Sequence, residues 1–320
     1  MVAGYVTLDA IDRGLVHALR VDGRVAFSGV AEVLGVSEHT VARRYRRLRA
    51  SGVLRVVAVA DGVRLGKRLW IIRIRCALDV SGVMAAAVAG RPDTYWVQIL
   101  SGGTEVCGHV SSNDQVLVEE LPWDRGVLGV SAHEVLPGPF EPPRWGPGDA
   151  LDAEQVARLR RPAAEPTDQR AVLDARDRRL LDGLNRDGRA TYAELGKLTG
   201  WSQSTVARRL DHLRRTGVLT FHVEVPPEAL GHQVEARLWM VVQPGALVTT
   251  AEALTAHPEI SYVAVTTGLT NLVAQVICPD SAHLYRYLTE QVGSLAGVNT
   301  LETAPVLRTA KGFYSRGPDG

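Results

Sequence analysis

Two short arginine-rich segments are the parts of this sequence best suited to binding chemistry. The first, T-V-A-R-R-Y-R-R-L-R, runs from Thr40 to Arg49, and the second, T-V-A-R-R-L-D-H-L-R-R, runs from Thr205 to Arg215. Guanidinium groups form charge-assisted hydrogen bonds with phosphate oxygens, and Ser, Gln, Thr and Arg side chains can reach the edges of bases. The net charge of the chain is only +1, so this basic character is local. The two segments therefore favour nucleic-acid binding, against the simpler interpretation of a solvated helix face.

Other kinds of chemistry have little support in the sequence. It contains no P-loop, G-x-S-x-G, H-E-x-x-H or paired-cysteine motif, so we expect no catalysis, no metal and no cofactor. Cys76, Cys107 and Cys278 are far apart, which fits buried thiols in a reducing cytoplasm. No apolar stretch is long enough to span a membrane and no export signal is visible, so we expect a cytoplasmic protein without a membrane partner.

An internal repeat positions both arginine segments. Residues 8–54 align with residues 173–219 at a constant offset of 165, without a gap, and about 22 of the 47 positions are identical. Shared landmarks include the D-G-R triplets at Asp22 and Asp187. Two copies of one module thus follow each other, and one explanation must serve both.

The first half of each copy has the pattern of a helix-turn-helix. Apolar residues recur at helical spacing after Asp9, a candidate N-cap, and the D-G-R triplet follows as a turn signal. Gly35 and then Ser37 suit the left-handed end of one helix and the cap of the next. Thr191 and Glu194 predict a capping box in the second copy. The third helix of each copy therefore carries the arginines.

The residues expected to contact DNA lie at the start and along the exposed face of these third helices. They are Ser37, Glu38, His39, Thr40, Arg43, Arg44 and Arg47 in the first copy, and Ser202, Gln203, Ser204, Thr205, Arg208 and Arg209 in the second.

The second half of each copy predicts the order βαββαβ, which is the ferredoxin-like split unit. We therefore expect an α+β protein of two tandem units, each a winged-type helix-turn-helix followed by a ferredoxin-like domain. Within the first copy, a helix is expected over residues 114–121. The expected domains are 1–60 (helix-turn-helix), 61–137 (ferredoxin-like), 138–170 (proline-rich linker with a short helix near its middle), 171–226 (helix-turn-helix) and 227–314 (ferredoxin-like).

This combination resembles the Lrp/AsnC family of feast/famine regulators. The resemblance rests on D-x-x-D/L-x-x-L-x-x-D-G-R, on G-x-S-x-x-T-V-A-R-R and on the G-V-L after it, and it covers nearly all of both copies. It implies binding to double-stranded DNA through paired helix-turn-helix units, assembly through the α/β domains, and amino-acid effectors bound between those domains. A chain with two fused copies departs from the usual plan of one copy per chain.

The resemblance also implies an effector loop at the glycine turn between two strands of each α/β domain. The matching positions are Gly102, Thr104 and Glu105 in the first copy, and Gly268, Thr270 and Asn271 in the second. The family's aspartate is replaced by Glu105 and Asn271, so the two sites should differ. The alternative is a hairpin turn that needs glycine for backbone reasons alone.

Two other functions remain open at this point. Some proteins of this architecture resemble sirohaem decarboxylases, in which His and Arg of the α/β domains hold tetrapyrrole carboxylates, but the motifs associated with those enzymes have no match here. A ligand-sensing protein without DNA affinity is the other alternative. The interpretation preferred from the sequence is a regulator that is not an enzyme. Its two α/β domains would pair within one chain as a pseudo-dimer, and such chains would assemble into homo-oligomers.

Overall fold

The computed structural model describes residues 7–112, 126–138, 146, 150–162 and 171–312. The helices are α1 (Ala10–Val21), α2 (Phe27–Leu34), α3 (Glu38–Ala50), α4 (Ser81–Gly90), α5 (Ala153–Leu159), α6 (Ala175–Arg186), α7 (Tyr192–Thr199), α8 (Gln203–Arg215), α9 (Leu247–Ala256) and α10 (Ser281–Arg286). The strands are β1 (Arg55–Ala60), β2 (Arg68–Cys76), β3 (Thr94–Leu100), β4 (Glu105–Ser112), β5 (Val127–Leu136), β6 (Leu219–Glu224), β7 (Val234–Val242), β8 (Ile260–Thr266), β9 (Leu272–Cys278) and β10 (Val298–Lys311).

The chain divides into two compact units, and each unit collects the matching part of both copies. One unit comprises Met1–Gly66 and Pro147–Leu230, and the other comprises Lys67–Gly146 and Gly231–Gly320. The helix-turn-helix halves therefore lie together in one unit, and the α/β halves lie together in the other.

Each helix-turn-helix half forms three helices whose ends are fixed by local hydrogen bonds. Asp9 and Asp174 make capping boxes at the starts of α1 and α6, and Thr191 and Glu194 make the predicted one at α7. Ala26, which precedes α2, makes no side-chain cap. These interactions satisfy the backbone N–H groups that a helix start leaves without partners.

The two helix-turn-helix halves are joined by a strand from each. β1 and β6 pair antiparallel, with Arg55 opposite Glu224 and Ala60 opposite Leu219. The sequence patterns did not predict this pairing between the two copies.

The region between the copies contributes a helix to this same unit. α5 begins at a capping box between Asp152 and Gln155, and Gln155 Nε2 donates to the Val33 carbonyl oxygen at 2.9 Å. Leu151 and Leu159 are buried. α5 is therefore packed on the first helix-turn-helix half.

The second unit is a closed eight-stranded barrel in the order β10-β3-β4-β2-β5-β8-β9-β7. The last strand of each copy closes it by crossing to the other copy. β10 pairs with β7 along Val298–Pro305 and then with β3, while the end of β5 pairs with β8 through Val135 and Leu136. Pairing of the two α/β halves is thus continuous through the sheet hydrogen bonds.

Apolar residues fill three layers of this unit. One cluster lies between the first copy's strands and α4, and another between the second copy's strands, α9 and the segment after α10. A third cluster, which includes Ile71, Leu100, Cys107 and Trp239, draws on strands of both copies. The predicted α+β class is confirmed, and the second copy shows the order βαββαβ in full. The helix predicted over residues 114–121 lies outside the described residues.

Candidate nucleic-acid interface

The turns before α3 and α8, the third helix of each copy, have the predicted geometry. Gly35 and Gly200 adopt left-handed conformations, with φ of 65° and 74°. Ser37 Oγ accepts a hydrogen bond from Thr40 N at 3.2 Å, and Ser202 makes the same bond with its own helix. Glycine is needed here because other residues are strained at positive φ.

The starts of α3 and α8 are open to solvent in this unit. Ser37, Glu38 and His39 are exposed, as are their counterparts Ser202, Gln203 and Ser204, whereas Thr40 and Thr205 are half-buried. The two helices therefore present different side chains at matching positions.

Arg44 and Arg209, two of the arginines predicted to contact DNA, form ion pairs with aspartates of the first helix or its N-cap in their own copy. Arg209 Nε and Nη2 bind the two carboxylate oxygens of the buried Asp177 on α6, each at 2.6 Å. In the first copy, Arg44 Nη1 binds Asp9 at 2.5 Å and Asp12 at 3.0 Å. Hydrogen bonds to these carboxylates raise the pKa of both arginines. Arg44 thus connects α3 to α1, and Arg209 connects α8 to α6.

The neighbouring arginines are available to a ligand. Arg43 and Arg208 are exposed and make no ion pair among the described residues. Arg47 is half-exposed and binds Asp12 at 2.5 Å. Pairing Arg44 and Arg209 with α1 and α6 leaves Arg43 and Arg208 as the best placed pair for phosphate contact.

The two halves are clamped by a reciprocal exchange between their D-G-R turns. Arg24 donates from Nη1 to the Gly188 carbonyl oxygen at 2.7 Å and from Nη2 to that of Ala190 at 3.0 Å. Arg189 returns the same bonds to the first turn, from Nη1 to Gly23 at 2.9 Å and from Nη2 at 3.0 Å to the carbonyl two residues later. Burial lowers the pKa of both guanidinium groups.

Ion pairs and close backbone contacts follow the same twofold pattern. Arg49 binds Asp187 at 2.8 Å, and Arg214 binds Asp22 at 2.6 Å. A Cβ added to the glycine of either triplet would lie within 3 Å of the other copy, at β6 for the first and β1 for the second. The D-G-R triplet is therefore an interface motif as well as a turn, which sequence reasoning missed. The signal was its exact repetition in both copies.

The predicted effector residues of the first copy have partners within the barrel. Glu105 is buried and accepts two hydrogen bonds from Arg73, at 2.8 and 3.1 Å. Thr104 Oγ1 donates to the Ser101 carbonyl oxygen at 2.9 Å. Gly102 has a φ of 67°, with open space where a Cβ would lie.

Those of the second copy are held in the same way. Asn271 Oδ1 accepts from Val242 N at 2.8 Å, and its Nδ2 donates to the Val242 carbonyl oxygen at 2.7 Å. The Thr270 carbonyl oxygen accepts from Thr266 Oγ1 at 3.0 Å. Gly268 packs against His133 so closely that a Cβ would lie 2.1 Å from its Nδ1. The three predicted effector residues of each copy thus lie together at a turn. Glu105 and Asn271, which replace the family's aspartate, are both hydrogen-bonded within the protein.

The described residues include no group of three or more His, Cys, Asp or Glu side chains that could hold a metal ion. None of the described helices is long and apolar enough to cross a membrane.

Two protein-family profiles match parts of this chain. The AsnC-type helix-turn-helix domain profile matches residues 8–49 and 173–214, and the Lrp/AsnC ligand binding domain profile matches residues 235–315. The HTH-type transcriptional regulator FL11 of Pyrococcus furiosus is 35% identical over 143 residues, which are 44% of this chain and 94% of that protein. The chain belongs to the Lrp/AsnC family. Ptr1 of Methanocaldococcus jannaschii, another HTH-type transcriptional regulator of this kind, is 33% identical over 141 residues, 44% of this chain and 95% of that protein.

The predicted resemblance to the Lrp/AsnC family and the tandem helix-turn-helix repeat are thereby confirmed. Each of these relatives matches less than half of this chain, as expected when two copies are fused.

A likeness over the whole length corrects one prediction. The solved structure of the sirohaem decarboxylase NirDL with an iron-uroporphyrin III analogue matches with a TM-score of 0.62, covering 97% of this chain and 94% of that one at 13% identity. The expectation, drawn from the absence of catalytic motifs, that the chain is not an enzyme is contradicted, because an enzyme shares this fold over 97% of the chain. At this identity the likeness concerns the fold alone.

Proposed function

We propose that this Lrp/AsnC-family chain is a sequence-specific DNA-binding transcription regulator in which a single chain supplies both recognition helices. The observation that carries this proposal is the twofold exchange between Arg24 and Arg189, which joins two helix-turn-helix halves whose recognition helices begin in solvent. Regulators of this type usually read two half-sites with two chains related by symmetry. Here a covalent fusion takes the place of the second chain.

The two halves are expected to read different half-sites. Glu38 and His39 begin α3, whereas Gln203 and Ser204 begin α8. Glutamate accepts hydrogen bonds from cytosine N4, and glutamine pairs with adenine through two bonds. We therefore propose an imperfect palindrome with half-sites about one helical turn, or a multiple of it, apart.

A small molecule, with an amino acid as the leading candidate, is proposed to act through the α/β unit. Support comes from the Lrp/AsnC ligand binding domain match at residues 235–315. The glycine turns remain the proposed effector positions. Because Glu105 and Asn271 already have partners, an effector would use the exposed backbone and threonine groups of the turns.

The test is fluorescence anisotropy of the full chain on its own upstream intergenic DNA at several salt concentrations. Wild type should bind in preference to unrelated DNA, with an affinity that falls as salt rises. Arg43→Ala and Arg208→Ala should each weaken binding and lower the salt slope by about 1, because each removes one phosphate contact.

Matched control variants separate DNA contact from folding. Arg46 lies on the same helix as Arg43 and is also exposed, so Arg46→Ala reports the loss of a charge that is not assigned to DNA. Arg44→Ala and Arg209→Ala are unsuitable as contact probes, because both break ion pairs to α1 or α6. Circular dichroism must show an unchanged fold for each variant that is interpreted.

Absence of sequence preference at every salt concentration would overturn the proposal. An absorbance titration with sirohaem on the same sample then tests the enzyme alternative. A saturable change in the tetrapyrrole spectrum would support the enzyme alternative. Loss of DNA binding in only one of the two arginine variants would contradict the claim that both halves touch DNA.

A further inference from the structure

The barrel of the α/β unit buries an arginine that forms no direct ion pair among the described residues. Arg237 on β7 is 0% exposed. Its Nη2 donates to Gln98 Oε1 at 3.0 Å. Its Nε and Nη1, which carry most of the N–H donors of a guanidinium group, meet no acceptor in the part of the chain that the structure describes. Glu235 joins this network by accepting from the amides of Gln98, at 3.1 Å, and of Gln275, and its charge attracts Arg237 electrostatically.

An aromatic side chain covers one face of this guanidinium but cannot accept its in-plane hydrogens. The guanidinium carbon lies 3.8 Å from the centroid of the Trp96 ring. Trp96 has a φ of 68°, in the left-handed region, where the β3–β4 register shifts. Strain of this kind persists only where the surroundings enforce it, and it clusters at functional sites. The backbone is thus bent at the residue that places a ring against Arg237.

A second stacked arginine in the same barrel shows what a neutralised site looks like. Arg73 lies 4.0 Å from the centroid of the Trp239 ring, and its Nε and Nη2 bind both carboxylate oxygens of Glu105. Glu302 adds a further hydrogen bond to Nη2, at 2.7 Å. Arg73 is therefore paired directly with two carboxylates, whereas Arg237 forms no direct ion pair among the described residues.

The first copy offers no equivalent of Arg237. In the strand pairing, Met240 lies opposite Leu272 and Ile74 lies opposite Val106, so Met240 and Ile74 are equivalent positions of the two copies. Three residues before them, Arg237 is equivalent to Ile71. An apolar residue therefore fits this position of the fold. A buried charge retained where an isoleucine suffices costs stability unless something neutralises it.

We propose that the barrel interior binds a small monovalent anion at the Nε and Nη1 donors of Arg237. Gln275 lies directly across from Arg237 in the strand pairing, and its Oε1 has no donor in the described structure. An anion that also carries an O–H group, such as hydrogencarbonate, satisfies the arginine and the amide together. A halide or formate satisfies the arginine alone.

Thermal unfolding in different anions tests the site. Chloride, formate and hydrogencarbonate are compared at pH 8 with gluconate, a much larger monovalent anion, at constant ionic strength. Wild type should unfold at a higher temperature in at least one small anion, by about 5 °C once the anion exceeds its Kd a hundredfold, and the gain should saturate. Arg237→Ile should show no such gain.

Arg73→Met is the matched control. It should unfold at a lower temperature in every salt but keep the small-anion gain, because it removes a stacked arginine whose acceptors are all protein groups. Equal unfolding temperatures of wild type in all four salts would overturn the proposal. An equal gain in Arg237→Ile would overturn it as well.

Iodide quenching of tryptophan fluorescence gives an independent reading if Arg237→Ile does not fold. Iodide bound at Arg237 would lie near the Trp96 ring and quench its emission. Wild type should therefore show a saturable quenching component that Trp96→Phe lacks. Quenching that rises only linearly with iodide, and equally in both proteins, contradicts a bound anion.

Discussion

Arg24 and Arg189 each donate two hydrogen bonds to backbone carbonyls in the other's turn, and they are the same residue of the two copies. Each guanidinium group also lies near an aromatic ring of the other copy. Arg24 lies 5.3 Å from the centroid of the Tyr192 ring, and Arg189 lies 4.4 Å from that of Phe27, which is the equivalent aromatic residue. Fusion of the copies has kept a twofold interface within one chain.

Removing this exchange should destabilise the helix-turn-helix unit. Hydrogen bonds to a charged group each contribute about 1.5–3 kcal/mol, so Arg24→Ala and Arg189→Ala should each lower the free energy of unfolding by about 3 kcal/mol. Denaturant unfolding measures both single variants and the double variant. Arg46→Ala, at an exposed position, should change stability by less than about 0.5 kcal/mol. A clamp that acts as one unit predicts that the double variant loses less than the sum.

Neighbouring arginines of one recognition helix should separate into two kinds. Arg209 binds the buried Asp177, and breaking a buried pair costs about 3–5 kcal/mol, reduced here because Arg209 is partly exposed. Arg209→Ala should therefore unfold more easily, whereas Arg208→Ala should keep wild-type stability and lose DNA affinity. Unfolding curves and anisotropy on the same samples make the comparison. Equal stability of the two variants would contradict the assignment.

The two glycine turns should tolerate alanine differently. Gly268 has a φ of 106° and its Cβ would meet His133, where the β5–β8 pairing closes the barrel, but Gly102 has open space around it. Gly102→Ala should cost about 1 kcal/mol from backbone strain alone. Gly268→Ala should cost clearly more, because His133 must also move. Thermal unfolding of the two variants beside wild type measures the difference, and similar losses would show that the His133 contact is unimportant.

His109 should make the stability of the barrel depend on pH. Burial, with the Arg237 charge as a second cause, lowers the pKa of His109 well below its usual value of 6.5. In acid the unfolded chain therefore binds a proton that the folded chain does not. The stabilising contribution is complete above about pH 6.5 and is lost as pH falls, by about 1.4 kcal/mol per pH unit.

His109→Gln removes this titrating group. Glutamine is the suitable replacement, because Gln275 occupies the corresponding position of the second copy. Denaturant unfolding of the barrel at pH 6.5 and pH 5 should show a smaller loss in this variant than in wild type. An unchanged loss would mean that other groups account for the acid sensitivity.

Local structure was predictable from the sequence where neighbouring residues determine it. Asp9, Gly35 and Ser37 act within their own turns, so caps and helix boundaries follow from residue type and spacing. The repeat established the number of helix-turn-helix domains for the same reason. Pairing across copies was harder to foresee. The β1–β6 ladder, the Arg24–Arg189 exchange and the Arg209–Asp177 pair depend on where distant segments meet, and a charged helix face does not show which arginine is already bound.

One chain is proposed to read two unlike half-sites. A stoichiometric anisotropy titration tests this, with a duplex containing the site preferred in the upstream intergenic DNA, at DNA concentrations far above Kd. The titration is repeated with either half-site scrambled. We expect saturation at one chain per duplex, and a large loss of affinity when either half-site is scrambled. Saturation at two chains per duplex, or undiminished binding to one isolated half-site, would contradict it.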